Sequence, residues 1–313
     1  MNTGKKMVSV VVPIYNEIQM VDEIHSRVDN VFRQMDKYDY ELVFFDDGST
    51  DGTREAIEKL SAQHEEVKGV FYTKNFGYLK NTFYSMQQAK GDCAILLHAD
   101  MQNPPEIIPE FLEKWENGAQ VVLGVKNKSR ENRFMYFLRS VFYFLMIHIF
   151  GVKLTPHATE FELFDKSFIE ILRGIKTNTP FLRGIVSEFS ANTDKVFYTQ
   201  DRREKGKSKF NLNKYYDFAI CGITQYSKCL PRKMIAISVF GITVSFLELI
   251  LNFLPNAFKG ILIDIGFGLM IRSFILIVFV FLIFASIMFE YVISAVKNSS
   301  EQPFIIEEKR INY

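Results

Sequence analysis

Short apolar runs alternate with longer segments of mixed polarity along the first 126 residues. The runs are rich in β-branched and aromatic residues, as strands buried on both faces require, and lie at 7–12, 40–45, 67–72, 93–98 and 119–126. The segments between them predict helices at about 18–35, 53–63, 78–89 and 105–116. This alternation implies an α/β fold with a mainly parallel, Rossmann-like sheet and helices on both faces.

Polar residues gather directly after these strands. In an open α/β sheet, ligands bind outside the carboxyl ends of the strands. We therefore expect the functional residues at these positions: Tyr15, Asn16, Glu17, Asp46, Asp47, Lys74, Asn75, His98, Asp100 and Lys126. Each motif taken alone is weak, because Asp46 and Asp47 also suit a polar turn and Asp51 suits a helix cap.

The stretch HADMQN, residues 98–103, follows an apolar run and suggests a metal site. Asp100 offers a carboxylate and Gln102 a neutral carbonyl, and hard cations prefer such oxygen ligands. His98 stands where a second carboxylate would be the more obvious ligand, and its nitrogen shifts the preference from Mg²⁺ towards Mn²⁺. The residues alone leave three alternatives open: a working divalent-metal site with one ligand exchanged, a site that has lost its function, or no metal site.

The C-terminal third has a different composition. Residues 234–254 and 273–293 are mostly apolar and carry one charged residue each, a glutamate, and each is close to the roughly 20 residues that cross a bilayer. Their short connection predicts a transmembrane hairpin within 233–293. Basic residues flank the hairpin, so we expect the domain at 1–232 and the tail at 294–313 in the cytoplasm. A buried helical hairpin in a soluble protein is the alternative.

The stretch 134–150 is apolar but is interrupted by Arg139 and His148. We predict a helix that lies on the membrane surface here, and a second interfacial helix near 211–230. A membrane span at 134–150 is less consistent, because it would separate the basic stretch 202–209 from the strand-end motifs. A core helix of the soluble domain is the remaining alternative.

Charge and cysteine content narrow the possible binding partners and cellular compartments. The formal net charge is +1, which gives no bulk electrostatic case for nucleic-acid binding. The three cysteines, Cys93, Cys221 and Cys229, lack metal-ligand spacing, and reduced thiols fit a cytosolic compartment. The N-terminal segment has no long apolar stretch, so it predicts a first strand and not a signal peptide.

The order of the motifs VVPIYNE, FFDDGSTDGT, KNFG and HADMQNPPEIIPEF resembles the inverting glycosyltransferases of family 2, which have the GT-A fold. The two apolar spans and the basic stretch REKGKSKFNLNK are similar to the polyprenyl-phosphate subfamily, which includes dolichyl-phosphate mannose synthases and bacterial undecaprenyl-phosphate sugar transferases. The resemblance covers residues 7–306. It implies inverting transfer of a sugar from a nucleotide diphosphate, with UDP expected, to a polyprenyl phosphate.

The resemblance also implies roles for individual residues. The nucleotide sugar would be held by Pro13, Tyr15, Glu17, Asp46, Asp47, Asn75, His98 and Ala99. Mn²⁺ or Mg²⁺ on the donor diphosphate would be held by Asp100, Gln102 and His98. The residues implied at the reacting groups are Asp100, Lys126, Glu160 and Arg203, and the acceptor phosphate would be held by Arg203, Ser208 and Lys209.

Three positions depart from the family pattern. His98 stands where an acidic residue is usual, and Lys126 and Glu162 stand where arginines are usual. Lysine keeps the positive charge of arginine but loses its bidentate fork. Glu162 reverses the charge, so we expect that it either faces solvent or leaves the acceptor phosphate to other cations.

Three hypotheses about function follow. In the first, the acceptor is a lipid phosphate, which is already an oxyanion at neutral pH and needs no base. In the second, a glycolipid hydroxyl is the acceptor and Glu160 is the base. The third is a non-catalytic membrane module that binds a nucleotide. The resemblance further implies a multi-pass protein of the inner membrane that forms a homo-oligomer, works at the lipid bilayer and has no nucleic-acid partner.

Overall fold

The computed structural model describes residues 4–128, 140–152, 154–199, 212–227, 229–252, 263–299 and 303–313. Within these segments eight strands form one sheet: β1 (Lys6–Ile14), β2 (Tyr38–Asp46), β3 (Val67–Tyr72), β4 (Cys93–Leu96), β5 (Val121–Lys128), β6 (Ala158–Asp165), β7 (Thr193–Thr199) and β8 (Glu307–Ile311). The helices are α1 (Val21–Phe32), α2 (Thr53–Gln63), α3 (Tyr78–Gln88), α4 (Ile108–Glu116), α5 (Ser140–Ile149), α6 (Lys166–Gly174), α7 (Leu182–Phe189), α8 (Leu212–Tyr226), α9 (Leu230–Asn252) and α10 (Ile263–Ser299).

The sheet has the strand order β7-β5-β6-β4-β1-β2-β3-β8. Strands β4, β1, β2 and β3 run parallel to one another, and β5 pairs in parallel with β7. Strand β6 runs antiparallel between β4 and β5, and β8 pairs antiparallel with β3 at the edge. The sheet is therefore mixed but mainly parallel, which confirms the predicted α/β class.

Alternate residues of the central strands pack into two apolar layers, one on each face of the sheet. Val8, Val10 and Val12 of β1 belong to the layer that α1, α2 and α4 cover, whereas Val11 belongs to the layer that α3, α6 and α7 cover. Successive strand residues point to opposite faces, so a strand covered on both sides is apolar throughout. Full burial of each such side chain contributes about 1.5–3 kcal/mol. This is why the strands could be located from apolar runs.

The helices predicted from periodicity are confirmed, and α2 begins and ends at the predicted residues. The Asp51 carboxylate accepts hydrogen bonds from the N–H groups of Thr53 (3.1 Å) and Ile18 (3.3 Å). The N-cap residue itself is Gly52, in the left-handed region at φ +95°. Asp51 therefore stabilises the start of α2 from one residue before the cap.

The C-terminal strand β8 was predicted only as part of a cytoplasmic tail. Its sequence, EEKRI, is polar, and its side chains are half-buried or exposed. Its backbone pairs with β3, where Ile311 lies opposite Gly69, and Glu308 accepts a hydrogen bond from Arg54 at 2.8 Å. Part of the predicted tail therefore belongs to the sheet.

Helix α5 has one face against the protein and one face exposed. Tyr143 and Met146 are buried, whereas the side chains of Phe144 and Ile149 are 56% and 39% exposed. Lys233 Nζ, at the start of α9, donates to the Ile149 carbonyl at 2.6 Å, which places a cation at the negative end of the helix dipole. The exposed apolar face agrees with an interfacial helix, and its contact with a membrane stays a prediction.

The C-terminal helices expose large apolar side chains. Among the described residues, one helix is long and apolar enough to cross a membrane, at Leu276–Ser299 within α10. This helix overlaps the second predicted span and indicates membrane association. Helix α9 also exposes Ile235 and Phe240 and contacts α10, but the two-span hairpin stays a prediction.

Candidate active site

The turns after β1, β2 and β4, here called the strand-end turns, lie side by side at one edge of the sheet. Strand β1 pairs in parallel with β2 as far as Ile14 opposite Asp46, and with β4 as far as Val11 opposite Leu96. The loop at 74–77, after β3, reaches the same edge. The topology therefore brings together the predicted functional residues that follow β1, β2, β3 and β4.

Hydrogen bonds join the turn after β1 to the turn after β2. The Asn16 N–H donates to Ser49 Oγ at 2.8 Å, and Asn16 Oδ1 accepts from the Thr50 N–H at 2.7 Å. The Glu17 N–H donates to Thr53 Oγ1 at 3.0 Å. Asn16 has φ +52°, a left-handed conformation that asparagine tolerates better than most residues. These hydrogen bonds between backbone N–H groups and side-chain oxygens fix the conformation of both turns.

Asp46 is fully buried at the end of β2. Its two oxygens lie 3.3 and 3.2 Å from the Ser49 N–H nitrogen, and Arg54 Nε lies 3.6 Å from Oδ2. Burial raises the pKa of Asp46, while the Ser49 hydrogen bonds and the charge of Arg54 oppose that rise. These contacts make Asp46 an anchor for its turn, and its role in donor binding stays a prediction.

Asp47 holds the loop after β3. Its Oδ1 accepts from the Phe76 N–H at 2.7 Å, and its Oδ2 accepts from the Gly77 N–H at 3.0 Å. Burial raises the pKa of Asp47 to about 6, although these two donors favour the carboxylate. Gly48 allows the loop to approach, because a Cβ at this position would lie 2.7 Å from the carbonyl carbon of Lys74. The loop is therefore clamped against the end of β2.

The HADMQN stretch forms a tight turn after β4. Met101 has φ +52° and a buried side chain, and such a conformation costs a non-glycine residue on the order of 1–3 kcal/mol. The Gln102 N–H donates to Asp100 Oδ1 at 3.2 Å. Asn103 Oδ1 accepts from the Tyr198 hydroxyl at 2.6 Å, which fastens the end of the turn to β7. The surrounding contacts therefore sustain a strained turn at the predicted metal ligands.

The predicted ligand set is compatible with a divalent cation. Asp100 is half-buried, and within the described segments its Oδ2 makes no hydrogen bond. The ring nitrogens of His98 also lack hydrogen bonds among those residues, and the ring stacks on Tyr78 with centroids 5.9 Å apart. A carboxylate, an imidazole and the amide oxygen of Gln102 suit Mn²⁺, and the imidazole suits Mg²⁺ less well.

A buried ionic cluster lies on β6, and Tyr78 connects it to His98. Glu160 and Glu162 share one face of β6 and are 4% and 1% exposed. Arg183 of α7 places Nε 3.2 Å from Glu160 Oε1 and donates from Nη1 to the Tyr143 hydroxyl at 3.2 Å. The Tyr78 hydroxyl donates to Glu160 Oε2. These five residues, here called the Arg183 cluster, join α3, α5, β6 and α7.

Of the two alternatives for Glu162, the one in which its side chain faces solvent is wrong. The side chain is buried, and its Oε2 has no hydrogen-bond partner among the described residues. Burial, followed by the charge of Glu160, raises the pKa of Glu162 to about 8, while Arg183 acts in the opposite direction. Glu162 is therefore mostly protonated at neutral pH, so that the cluster sets one carboxylate against one guanidinium.

The other predicted site residues have less definite surroundings. Pro13, Tyr15 and Lys126 are half-buried, Ala99 is buried and Asn75 is exposed. Lys126 lies near the end of β5, and its backbone N–H donates to the His157 carbonyl at 3.2 Å. Arg203, Ser208 and Lys209 lie outside the described residues.

Residues 9–190, more than half of the chain, match the family described as glycosyl transferase family 2. The chain belongs to this family. It is therefore a glycosyltransferase, and its strand-end turns and Arg183 cluster lie within the matched region.

Similar proteins cover most of this glycosyltransferase. YkcC of Bacillus subtilis is 33% identical over 220 residues, which are 70% of this chain and 68% of that protein. The bactoprenol glucosyl transferase of Shigella phage SfV is 32% identical over 241 residues, 77% of this chain and 78% of that protein. Among solved structures, glucosyl-3-phosphoglycerate synthase from Mycobacterium tuberculosis matches at 17% identity and a TM-score of 0.47, over 68% of this chain and 75% of that one. A likeness as distant as the last assigns no substrate.

Sequence reasoning missed three members of the Arg183 cluster of this glycosyltransferase: Tyr78, Tyr143 and Arg183. Arg183 lies in the otherwise apolar stretch LRGIV, and an arginine on a buried helix face needs a partner. That pattern was a usable signal. Nothing in the sequence pointed to the two tyrosines, because Tyr78 is 82 residues from Glu160 and Tyr143 is 40 residues from Arg183.

Proposed function

We propose that this glycosyltransferase moves a sugar, with inversion, from a nucleotide diphosphate to a polyprenyl phosphate at the cytoplasmic face of a membrane. The position of Arg183 carries the proposal. Its guanidinium bonds to Tyr143 of α5, and the opposite face of α5 exposes Phe144 and Ile149. A phosphate on a membrane-embedded lipid would meet a cation at this boundary. The name of the phage relative supports bactoprenol as the acceptor and glucose as the sugar.

The strand-end turns would bind the donor, with UDP as the expected nucleotide. Tyr15 and Glu17 lie in the turn after β1, and Asp46 lies at the start of the turn that is hydrogen-bonded to it. A divalent cation, Mn²⁺ or Mg²⁺, held by Asp100, Gln102 and His98, would offset the negative charge that grows on the leaving diphosphate. The charge of Lys126 would act in the same direction.

The Arg183 cluster would receive the acceptor phosphate. A lipid phosphate attacks as an oxyanion, so the chain needs no base. Arg183 supplies a guanidinium where Glu162 cannot, and Glu160 orients it through a charge-assisted contact. Protonation keeps Glu162 from adding a second negative charge beside the phosphate. Glu160 as the base for a hydroxyl acceptor is disfavoured, because it already pairs with Arg183 and accepts from Tyr78.

The residues implied by the basic stretch extend this acceptor site. Arg203, Ser208 and Lys209 are proposed to close over the donor and acceptor phosphates, as the resemblance implies. Cations in this stretch would add to the charge of Arg183 at the membrane surface.

We further propose that α9 and α10 form the transmembrane hairpin. Lys233 at the start of α9 bonds to the end of α5. Near the end of α10, Asn298 Oδ1 accepts from Thr177 Oγ1 at 3.0 Å and from the Asn178 N–H at 2.9 Å. Both outer ends of the helix pair therefore contact the α/β domain, as a hairpin requires. Lys233 and Lys297 lie at these ends, and their charges favour the cytoplasmic side.

The direct test is transfer in vitro. Purified full-length protein in nanodiscs is incubated with Mn²⁺, undecaprenyl phosphate and a panel of radiolabelled UDP- and GDP-sugars. We expect label in the lipid phase, with the largest amount from UDP-glucose. Equal labelling of free polyprenol would contradict the phosphate acceptor. Tight UDP binding without turnover of any donor would contradict the enzyme proposal and favour a non-catalytic module.

A further inference from the structure

Two histidines and a glutamate converge away from the strand-end turns. His25 projects from the middle of α1, His64 follows the last residue of α2, and Glu66 immediately precedes β3. His25 Nε2 lies 3.4 Å from Glu66 Oε1, and His64 Nδ1 lies 3.3 Å from the same oxygen. One ligand atom from each of the three residues lies within 4.8 Å of the other two. The cluster is at the amino end of β3, whereas the strand-end turns lie at the carboxyl ends.

The contacts of His25 and His64 with Glu66 are longer than ordinary hydrogen bonds and are compatible with a shared metal ion. An N–H···O hydrogen bond usually spans about 2.7–3.2 Å, which is shorter than either contact. Ligand atoms bound to one tetrahedral zinc at about 2.0–2.2 Å lie roughly 3.3–3.5 Å apart. The imidazole rings of His25 and His64 also pack together, with centroids 4.2 Å apart and planes inclined by 49°. One nitrogen of each ring lies close to the same carboxylate oxygen of Glu66.

The backbone holds these residues in place, and solvent reaches them. The His64 N–H donates to Leu60 at the end of α2 (3.1 Å), and the Glu66 carbonyl accepts from the Leu42 N–H of β2 (2.9 Å). The His25 side chain is 10% exposed, whereas those of His64 and Glu66 are 35% and 31% exposed. An ion can therefore enter from the exposed side, where a water molecule would complete a four-coordinate site.

We propose that His25, His64 and Glu66 bind a zinc ion that ties α1 to the connection between α2 and β3. Two imidazoles and a carboxylate suit zinc and other late divalent transition metals, and suit Mg²⁺ poorly. Helices α1 and α2 follow the turns after β1 and β2, so the ion would tie the middle of α1 to the C-terminal end of α2. The site requires no part of the proposed sugar transfer.

Zinc binding to full-length protein in detergent, stripped of metal with EDTA, tests the proposal. The parent for this test carries Asp100→Asn, which removes a predicted ligand of the other metal site. We expect one zinc per chain by calorimetry, and a tetrahedral absorption spectrum when Co²⁺ replaces zinc. Adding His64→Gln or Glu66→Gln should weaken zinc binding by more than about 100-fold. Adding His148→Gln, a control at an exposed histidine outside the cluster, should leave it unchanged.

Thermal unfolding gives a second readout, because an ion that binds the folded state alone raises the unfolding temperature. We expect zinc to raise this temperature in the parent and the His148→Gln control, but not in the His64→Gln variant. His64 is partly exposed, so its substitution should leave the fold intact. Zinc binding of equal affinity in the parent and the His64→Gln variant would overturn the proposal. Absence of zinc binding by the parent would overturn it as well.

Discussion

The strand-end turns and the Arg183 cluster are neighbours, but different interactions hold them. In the turns, carboxylates and amide oxygens accept hydrogen bonds from backbone N–H groups, as in the contacts of Asp47 with Phe76 and Gly77. In the cluster, side chains contact side chains: Arg183 pairs with Glu160 and bonds to Tyr143. The turns therefore depend on local chain conformation, whereas the cluster depends on the packing of four separate elements.

Tyr78 belongs to both regions. It directly follows Gly77, whose N–H is held by Asp47, and its hydroxyl donates to Glu160. Its ring stacks on His98 in the turn after β4. Burial and the charge of Glu160 raise the pKa of Tyr78 well above its usual value, so the phenol remains a donor to Glu160. A change in the loop at 74–77 would therefore reach the Arg183 cluster through one side chain.

The largest effect is expected in the turn after β4. Asp100→Asn should lower turnover by at least about 1,000-fold, because the metal that Asp100 is proposed to hold would supply several kcal/mol of charge stabilisation. His98→Asp should retain activity and relax the preference for Mn²⁺ over Mg²⁺. Both are measured as labelled lipid product, with Glu110→Gln as an exposed carboxylate control. Full activity of Asp100→Asn would disprove the metal assignment.

The next largest effect is expected in the cluster. Arg183→Met should destabilise the protein by about 3 kcal/mol, since it leaves Glu160 buried without its counter-charge. Arg33→Met, at an exposed ion pair with Asp29, should cost about 0.5 kcal/mol. Thermal unfolding measures the difference between them.

The milder change Arg183→Lys keeps the charge and tests function separately. It should raise the KM for lipid phosphate and leave the KM for the nucleotide sugar unchanged, because the proposed binding sites of the two substrates lie in different regions. A rise in the donor KM alone would show that Arg183 belongs to the donor side.

A pH effect of intermediate size is expected at Glu162. Its pKa is about 8 in the folded protein, above the model-compound value of 4.5, so the folded state retains a proton that the unfolded chain releases. Stability from this group therefore falls as pH rises from 4.5 through 8, by about 2 kcal/mol between pH 6 and 8. Glu162→Gln should remove this fall. The free energy of unfolding is measured against pH for the wild type, Glu162→Gln and the exposed control Glu170→Gln. The same pH dependence in the wild type and Glu162→Gln would contradict the prediction.

The smallest effect is expected at the link between the two regions. Tyr78→Phe removes the hydrogen bond to Glu160 but keeps the ring beside His98, so activity should fall by about tenfold, equivalent to about 1.4 kcal/mol. Tyr84→Phe is the matched control, because Tyr84 also donates to a carboxylate, that of Glu307, at 2.8 Å. Comparable activities of the two variants would show that the hydrogen bond from Tyr78 to Glu160 does not matter for activity.

The strand-end turns could be predicted from the sequence because their information is local. The apolar run that ends at Asp46 marks both a strand and its carboxyl end, and parallel pairing then brings β1, β2 and β4 to one edge. The left-handed conformation of Met101 could not be foreseen, since methionine gives no sign of it. Tertiary contacts, such as that of Asn103 with Tyr198, sustain that turn.

The Arg183 cluster could not be predicted, because its members are far apart in the chain and burial decides their chemistry. The sequence presents Glu162 only as a reversed charge, and the structure shows a buried carboxyl. Strand β7 escaped prediction for another reason. It lies at the edge of the sheet and mixes exposed with buried positions, so it has no continuous apolar run. Oligomeric state and the roles of Arg203, Ser208 and Lys209 stay predictions.

Strand β8 also prevents the edge of the sheet at β3 from pairing with strands of other protein molecules. Without it, β3 would present a row of unpaired backbone N–H and C=O groups at the edge of an apolar sheet, and such edges recruit strands from other molecules. The strand that covers β3 carries Glu308, Lys309 and Arg310 on an exposed edge, and charged side chains there discourage further pairing. Removing residues 303–313 would therefore uncover an aggregation-prone edge. These eleven residues thus help to keep the whole sheet from aggregating.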